Sequence, residues 1–331
     1  MRTSREIFKI SGEPEEPEKI AYMKKAGRAV VEQIAKDPEL EKILTGADFS
    51  LLRDLFEKIA MRSGVDPATL NFLGPDRIAH RSLSWSGTGI YNAQNNFIGI
   101  SYDRIKERAK KFGLDPELTA VKTLCHEETH ATSKVECTGE NEPRDKYPYY
   151  RGDKTGYSRY IEGQEGVHEP YVQKWLFNRF NEGVTEKLSR EIFLEYAIKS
   201  GKYPKEEIGK FELLERAAPE ELSYGVAVGF VNALILKISR ETGLDEKTVW
   251  RALIRGMYEG EDFQDQELKS LFAEIISPEF LDKLARAYSD DELDKLAVTF
   301  FMKHPAPDKK NRIRDRLRDF ISNLGRKKRN K

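Results

Sequence analysis

The sequence predicts an α+β fold, predominantly helical and two-lobed, with a small sheet in the N-terminal lobe and a helical C-terminal lobe. Three observations carry this. Apolar residues recur at helical spacing through most of the chain, as in Leu51, Leu52, Leu55, Ile59 and Ala60. Between residues 78 and 101 the pattern turns β-like around the turn-prone Asn92-Ala93-Gln94-Asn95-Asn96. The length of 331 residues, with 39% apolar content, is enough for one large two-lobed body or two ordinary domains.

Residues 1–18 place Pro14 and Pro17 among acidic residues, which predicts a flexible acidic N-terminal arm. The N-terminal lobe, residues 19–134, opens with two amphipathic helices, at 19–36 and 50–62. Gly64, Pro67 and Gly74-Pro75 then break the helical period. Strands are expected at 82–85, 89–91 and 97–101, the last being the candidate edge for adding an extended peptide as a further strand. Asp103 is placed to cap a helix ending at Gly113, and Asp115 with Pro116 starts the next, expected to reach about Thr132.

A second segment, residues 135–304, begins with a stretch rich in glycine, proline and tyrosine over 137–170, which reads as a long ordered loop. Helices follow at about 181–196, 210–217, 220–241, 245–258, 266–276, 278–288 and 290–302. Gly225 and Gly229 read as sites of close helix packing. Pro305 and Pro307 open a basic C-terminal tail, 305–331, whose 11 lysines and arginines over 309–331 face only two aspartates.

Composition narrows the function classes. Lysine plus arginine equals aspartate plus glutamate at 56 each, so overall charge argues for neither a nucleic-acid nor an acidic partner. Nucleic-acid binding through the tail is the weaker alternative. Two cysteines, Cys125 and Cys137, are too few for a disulfide framework and fit a reducing compartment. The first 19 residues lack the apolar core of a secretory signal, which implies a cytoplasmic location. The most apolar run, 224–238, is shorter than the roughly 20 residues a bilayer requires, so no membrane association is expected.

The helix beginning at Pro116 carries Leu124-Cys125-His126-Glu127-Glu128-Thr129-His130. Residues four apart share a helix face, so both imidazoles can reach one metal ion, with Glu127 beside them as a base for water. A catalytic zinc typically takes a third protein ligand. The metzincin completion would need glycine and histidine where the chain has Ser133 and Glu136, so it is excluded. A glutamate from a second helix is the other completion, and Asn181-Glu182-Gly183-Val184-Thr185-Glu186 offers one at a helix start.

Together the two motifs resemble the gluzincin zinc metallopeptidases, and most of all their small soluble bacterial and phage-type members of unassigned substrate. The resemblance covers residues 116–196, about a quarter of the chain. It implies a two-lobed zincin-like fold, Zn2+ held by His126, His130 and Glu182, and Glu127 as general base. Glu186, one turn after Glu182, would hydrogen-bond a ligand histidine. A peptide or protein is the implied substrate. An oxyanion donor from the region after the glutamate helix is implied as well, with Tyr224 first in order and Tyr157 and His168 as rivals. The competing expectation is a non-catalytic binding protein of the same fold, for which Glu127 would be superfluous.

Overall fold

The structure is a computed structural model, describing residues 6–9, 31–32, 34, 36–80, 87–93, 95–139, 149–164, 172–217, 224–260 and 277–302. The described residues are mostly helical, with two small sheets. None of their helices is long and apolar enough to cross a membrane. Several elements expected from sequence lie outside the described residues: the strand at 82–85, most of the helix at 19–36, the helix at 266–276, His168 and the basic tail.

Strand β1 (Glu6–Lys9) is followed by α1 (Pro38–Gly46) and α2 (Phe49–Arg62), each started by an aspartate cap. The Asp37 carboxylate accepts from the Glu39 and Leu40 amides at 2.9 Å, satisfying donors that the first helical turn leaves open. Strands β2 (Ile78–His80), β3 (Gly89–Asn92) and β4 (Phe97–Ile100) form a sheet in the order β2-β4-β3. The 97–101 segment is therefore the central strand, and β2 and β3 are the edges. All four residues of β4 are buried whereas β3 is half-buried, in keeping with their central and edge positions.

Helix α3 (Tyr102–Phe112) is capped at Ser101, not at Asp103, which lies in its first turn; Gly113 ends it at φ 65°. Helix α4 (Pro116–Thr132) begins as expected, with the Asp115 carboxylate accepting from the Leu118 amide at 2.7 Å and proline at the first position. It is buried on nearly every side, enclosed by β3, β4, α3 and the helix that follows the second sheet.

Where a long loop is expected, the chain forms strands β5 (Val135–Gly139), β6 (Tyr149–Thr155), β7 (Ser158–Gln164) and β8 (Val172–Leu176). They give an antiparallel sheet ordered β1-β5-β6-β7-β8, so residues 6–9 of the arm are its first strand. The β6–β7 turn has two residues, Gly156 and Tyr157, between the paired Thr155 and Ser158. Gly156 takes φ 57°, where a side chain would collide with Asn181 and Met257.

The remaining helices are α5 (Asn178–Lys199), α6 (Lys205–Ala217), α7 (Gly225–Thr242), α8 (Glu246–Glu259), α9 (Pro278–Arg286) and α10 (Asp290–Met302). Their apolar faces meet in one continuous core that includes Leu118 and Leu124 of α4, Val184 and Leu188 of α5, and Val231 and Leu234 of α7. Gly183 brings α5 close to α7: a Cβ there would stand 2.6 Å from the Ala227 carbonyl oxygen. Gly229, expected to pack, faces open space. Gly183→Ala must push two helix backbones apart and is expected to cost about 1–3 kcal/mol, read as a lower urea midpoint at unchanged m-value.

Candidate metal centre

Helices α4 and α5 pack against each other and bring three ligand atoms together. His126 Nε2 and His130 Nε2 are 3.2 Å apart, one turn removed on α4. Glu182 Oε2, from the first turns of α5, lies 3.3 Å from the first and 3.5 Å from the second. Among the described residues this trio is the group able to hold a metal ion. Of the residues expected to be ligands, all three are present.

The start of α5 is set by local constraints. Phe177 caps it in the left-handed conformation at φ 56°, with its amide donating to the Ala285 carbonyl and its ring buried. Non-glycine residues hold that conformation only when their surroundings enforce it. One turn in, the Asn181 side chain accepts from the Tyr157 amide at 2.9 Å, tying the glutamate helix to the β6–β7 turn. This fixes Tyr157 too. Its ring is buried and its hydroxyl donates to the Leu253 carbonyl at 2.8 Å, so it is a packing residue away from the trio.

Glu186 lies one turn after Glu182. Its Oε2 is 2.8 Å from His126 Nδ1, and its Oε1 accepts from Lys122 Nζ and Arg190 Nε, each at 2.8 Å. A proton on Nδ1 leaves the Nε2 lone pair facing the other two ligand atoms. Neither Lys122 nor Arg190 belongs to the two motifs, although each lies four residues from a motif residue on the same helix. Burial opposes ionisation of Glu186, yet Lys122 and His126 hold its carboxyl well below the usual range. Burial also opposes a charge on His126, but the contacts to Glu182 and Glu186 outweigh it and raise the imidazole to about 10. For Glu182, burial is again overcome, by His130 and His126, and its carboxyl is lowered.

Glu127 reaches toward β3. A Cβ on Gly89 would stand 2.6 Å from Glu127 Oε1 and 2.8 Å from Thr123 Cγ2, so the glycine makes room for the carboxylate. Burial pushes the Glu127 carboxyl up, with His126 and His130 opposing. Gly89→Ala is expected to displace this side chain and to cost about 1–3 kcal/mol, because the added methyl group would overlap Glu127 and Thr123. Urea unfolding of the variant beside the parent would check it.

Edge strand β3 owes its position to a buried amide pair. Asn71 Nδ2 donates to Asn96 Oδ1 at 2.7 Å and to the Ala131 carbonyl of α4 at 3.2 Å, while Tyr91 Oη donates to Asn96 Oδ1 at 3.0 Å. Glu128, also on α4, accepts from the Leu73 amide at 3.1 Å, and burial pushes its carboxyl well up. It is a structural residue. Cys125 is buried and free, its thiol pushed up by the same cause, which leaves it unreactive.

Tyr224 caps α7 at φ 63° and stacks on the His126 ring, centroids 5.5 Å apart and planes 6° from parallel. The Arg179 guanidinium lies 5.6 Å from the tyrosine ring centroid. The negative charge of Glu182, then burial, raises the phenol above its ordinary value, so the hydroxyl remains a donor. Tyr224 thus joins the site, a second non-glycine residue, after Phe177, held in the left-handed region at a helix start.

Comparison with protein-family models, curated proteins and solved structures returned no significant match. The fold and site define a mostly helical protein with a largely buried trio able to hold a metal ion.

Proposed function

We propose that this chain is a zinc-dependent peptidase of the gluzincin type, with a two-lobed zincin-like architecture. The observation that carries the reading is the convergence of His126 Nε2, His130 Nε2 and Glu182 Oε2 within 4.8 Å of one another, with Glu127 beside them and Glu186 on the free imidazole nitrogen. The donor set suits zinc. Two imidazoles and one carboxylate leave a position open, which separates catalytic from structural zinc sites. Glu182 Oε2 is buried without a hydrogen bond, a condition that a cation would relieve.

When bound, zinc supplies Lewis acidity toward water and a peptide carbonyl. The protein's own groups do the rest. Glu127 takes a proton from the attacking water and returns it to the leaving amine; burial raises its carboxyl, which strengthens it as a base. Tyr224 Oη, kept protonated, donates to the developing oxyanion. Glu186 fixes His126 in one tautomer and orientation. The edge strand β3, rather than residues 97–101, offers backbone groups to an extended peptide.

Purification with zinc supplied, followed by metal analysis and a peptide-library digest, tests the proposal. Stoichiometric zinc, new amino termini and loss of cleavage on chelation are expected. The chelated protein should also melt at a lower temperature, because a ligand bound only by the folded state stabilises it. A parent protein that holds no zinc after such purification would overturn the reading.

A further inference from the structure

The cavity next to Glu127 has a chemical character of its own. It encloses about 360 Å³, enough for a side chain or a chain terminus, and His126, Glu127 and Tyr224 line it. From Glu127 it follows one face of α4 toward the helix start, past Thr123 and Thr119 at intervals of four residues. Leu114 and Phe211 give it some apolar wall, and its charged lining holds Glu127, Glu186 and Asp290 together with Arg108 of α3, Lys122 of α4 and Arg179 of α5.

Glu186, an anion close to these cations, is fully engaged: one oxygen takes His126, the other takes Lys122 and Arg190. Lys122 gives one of its three donors to that contact. Arg108 is partly buried, attracted by Glu186 and repelled by Arg190, and partial burial lowers its pKa without threatening its charge. A planar guanidinium with reduced hydration is suited to a carboxylate, and a fork of donors makes the match directional. Arg179 has the wall carboxylate Asp290 as a counter-ion at 3.9 Å, its Nε donates to the Tyr288 carbonyl, and its guanidinium lies by Tyr224.

We propose that this cavity receives a carboxylate of the substrate, with Arg108 as the specificity-determining residue and Lys122 beside it. The inference rests on the peptidase reading of the adjoining site. The carboxylate has two sources, an aspartate or glutamate side chain near the scissile bond, or the substrate's own C-terminus.

Binding to the zinc-loaded full chain tests this without requiring turnover. Four tetrapeptides with reduced, uncleavable amide links form two pairs: aspartate against asparagine with a capped C-terminus, and a free C-terminus against its amide. In one pair the acid is expected to bind about tenfold to a hundredfold tighter, the gain of a charge-assisted contact, and that pair identifies the source. In Arg108→Gln the advantage should fall below about threefold with zinc content unchanged. Arg108→Lys should keep part of it, and carries the comparison if the glutamine variant does not fold. Equal binding within both pairs by the parent, or an undiminished preference in folded, zinc-loaded Arg108→Gln, overturns the proposal. An absence of peptide cleavage in the library digest bears on the peptidase reading alone, since the binding preference is measured independently of it.

Discussion

On the proposed peptidase reading, the Glu127→Gln protein is expected to keep its zinc and its melting temperature and to lose peptide hydrolysis by at least about 10²- to 10⁴-fold, the usual contribution of a positioned general base. Three features make the expectation specific. Glu127 is not one of the three converging ligand atoms, so the substitution leaves the donor set intact. Glutamine fills the same space against Gly89, where little other room exists. Burial already disfavours the carboxylate, so a neutral amide imposes no new desolvation cost and stability should hold or rise slightly. An amide cannot accept the proton. A loss in kcat and in kcat/KM together, at equal metal content, is the signature of an interaction made only in the transition state. Cleavage undiminished in the variant would remove Glu127 from the mechanism. Zinc held by both proteins with cleavage by neither would favour a binding protein of this fold.

The chemistry of α4 is legible in the sequence because it is local. Asp115, Pro116 and the four-residue spacing of His126 and His130 act within one helix, and each behaves as its position suggests. The second motif is legible for the same reason, since Glu182 and Glu186 are one turn apart on α5. The second sheet is not. Strands such as Tyr149–Thr155 (YYRGDKT) carry glycine and several charges and lack clean apolar alternation, so their identity depends on pairing with distant partners. One local signal exists: the Thr-Gly-Tyr-Ser run at 155–158 has the glycine that a two-residue hairpin loop needs. A similar sign marks β4 as central, because Phe97-Ile98-Gly99-Ile100 is almost continuously apolar, the pattern of a strand covered on both faces. Arg108 has no such sign. Nothing in its spacing on α3 announces that Glu186 and Tyr224 will lie near it.

Replacement of Glu186 is expected to have the largest effect on stability of any change at the site. The side chain is 2% exposed and its two oxygens serve three partners at 2.8 Å, His126, Lys122 and Arg190. Glu186→Ala leaves two mostly buried cations without the carboxylate that compensates them, and breaking a buried ion pair in this way costs about 3–5 kcal/mol. Glu186→Gln keeps a hydrogen-bond acceptor for Lys122 but removes the charge, and should fall between the parent and the alanine variant. The metal centre should respond separately. Without the carboxylate on Nδ1, His126 is free to rotate and to place its proton on Nε2, and zinc affinity should drop about 10- to 100-fold. Urea unfolding of chelated protein reads the first effect, and competition against a chromogenic chelator reads the second. Pairing Glu186→Gln with Arg190→Met separates charge compensation from packing: a coupling of about 0.5–3 kcal/mol between the two marks a shared interaction. Strict additivity, with zinc affinity unmoved in either single variant, would reduce Glu186 to a space-filling residue and detach it from the metal centre.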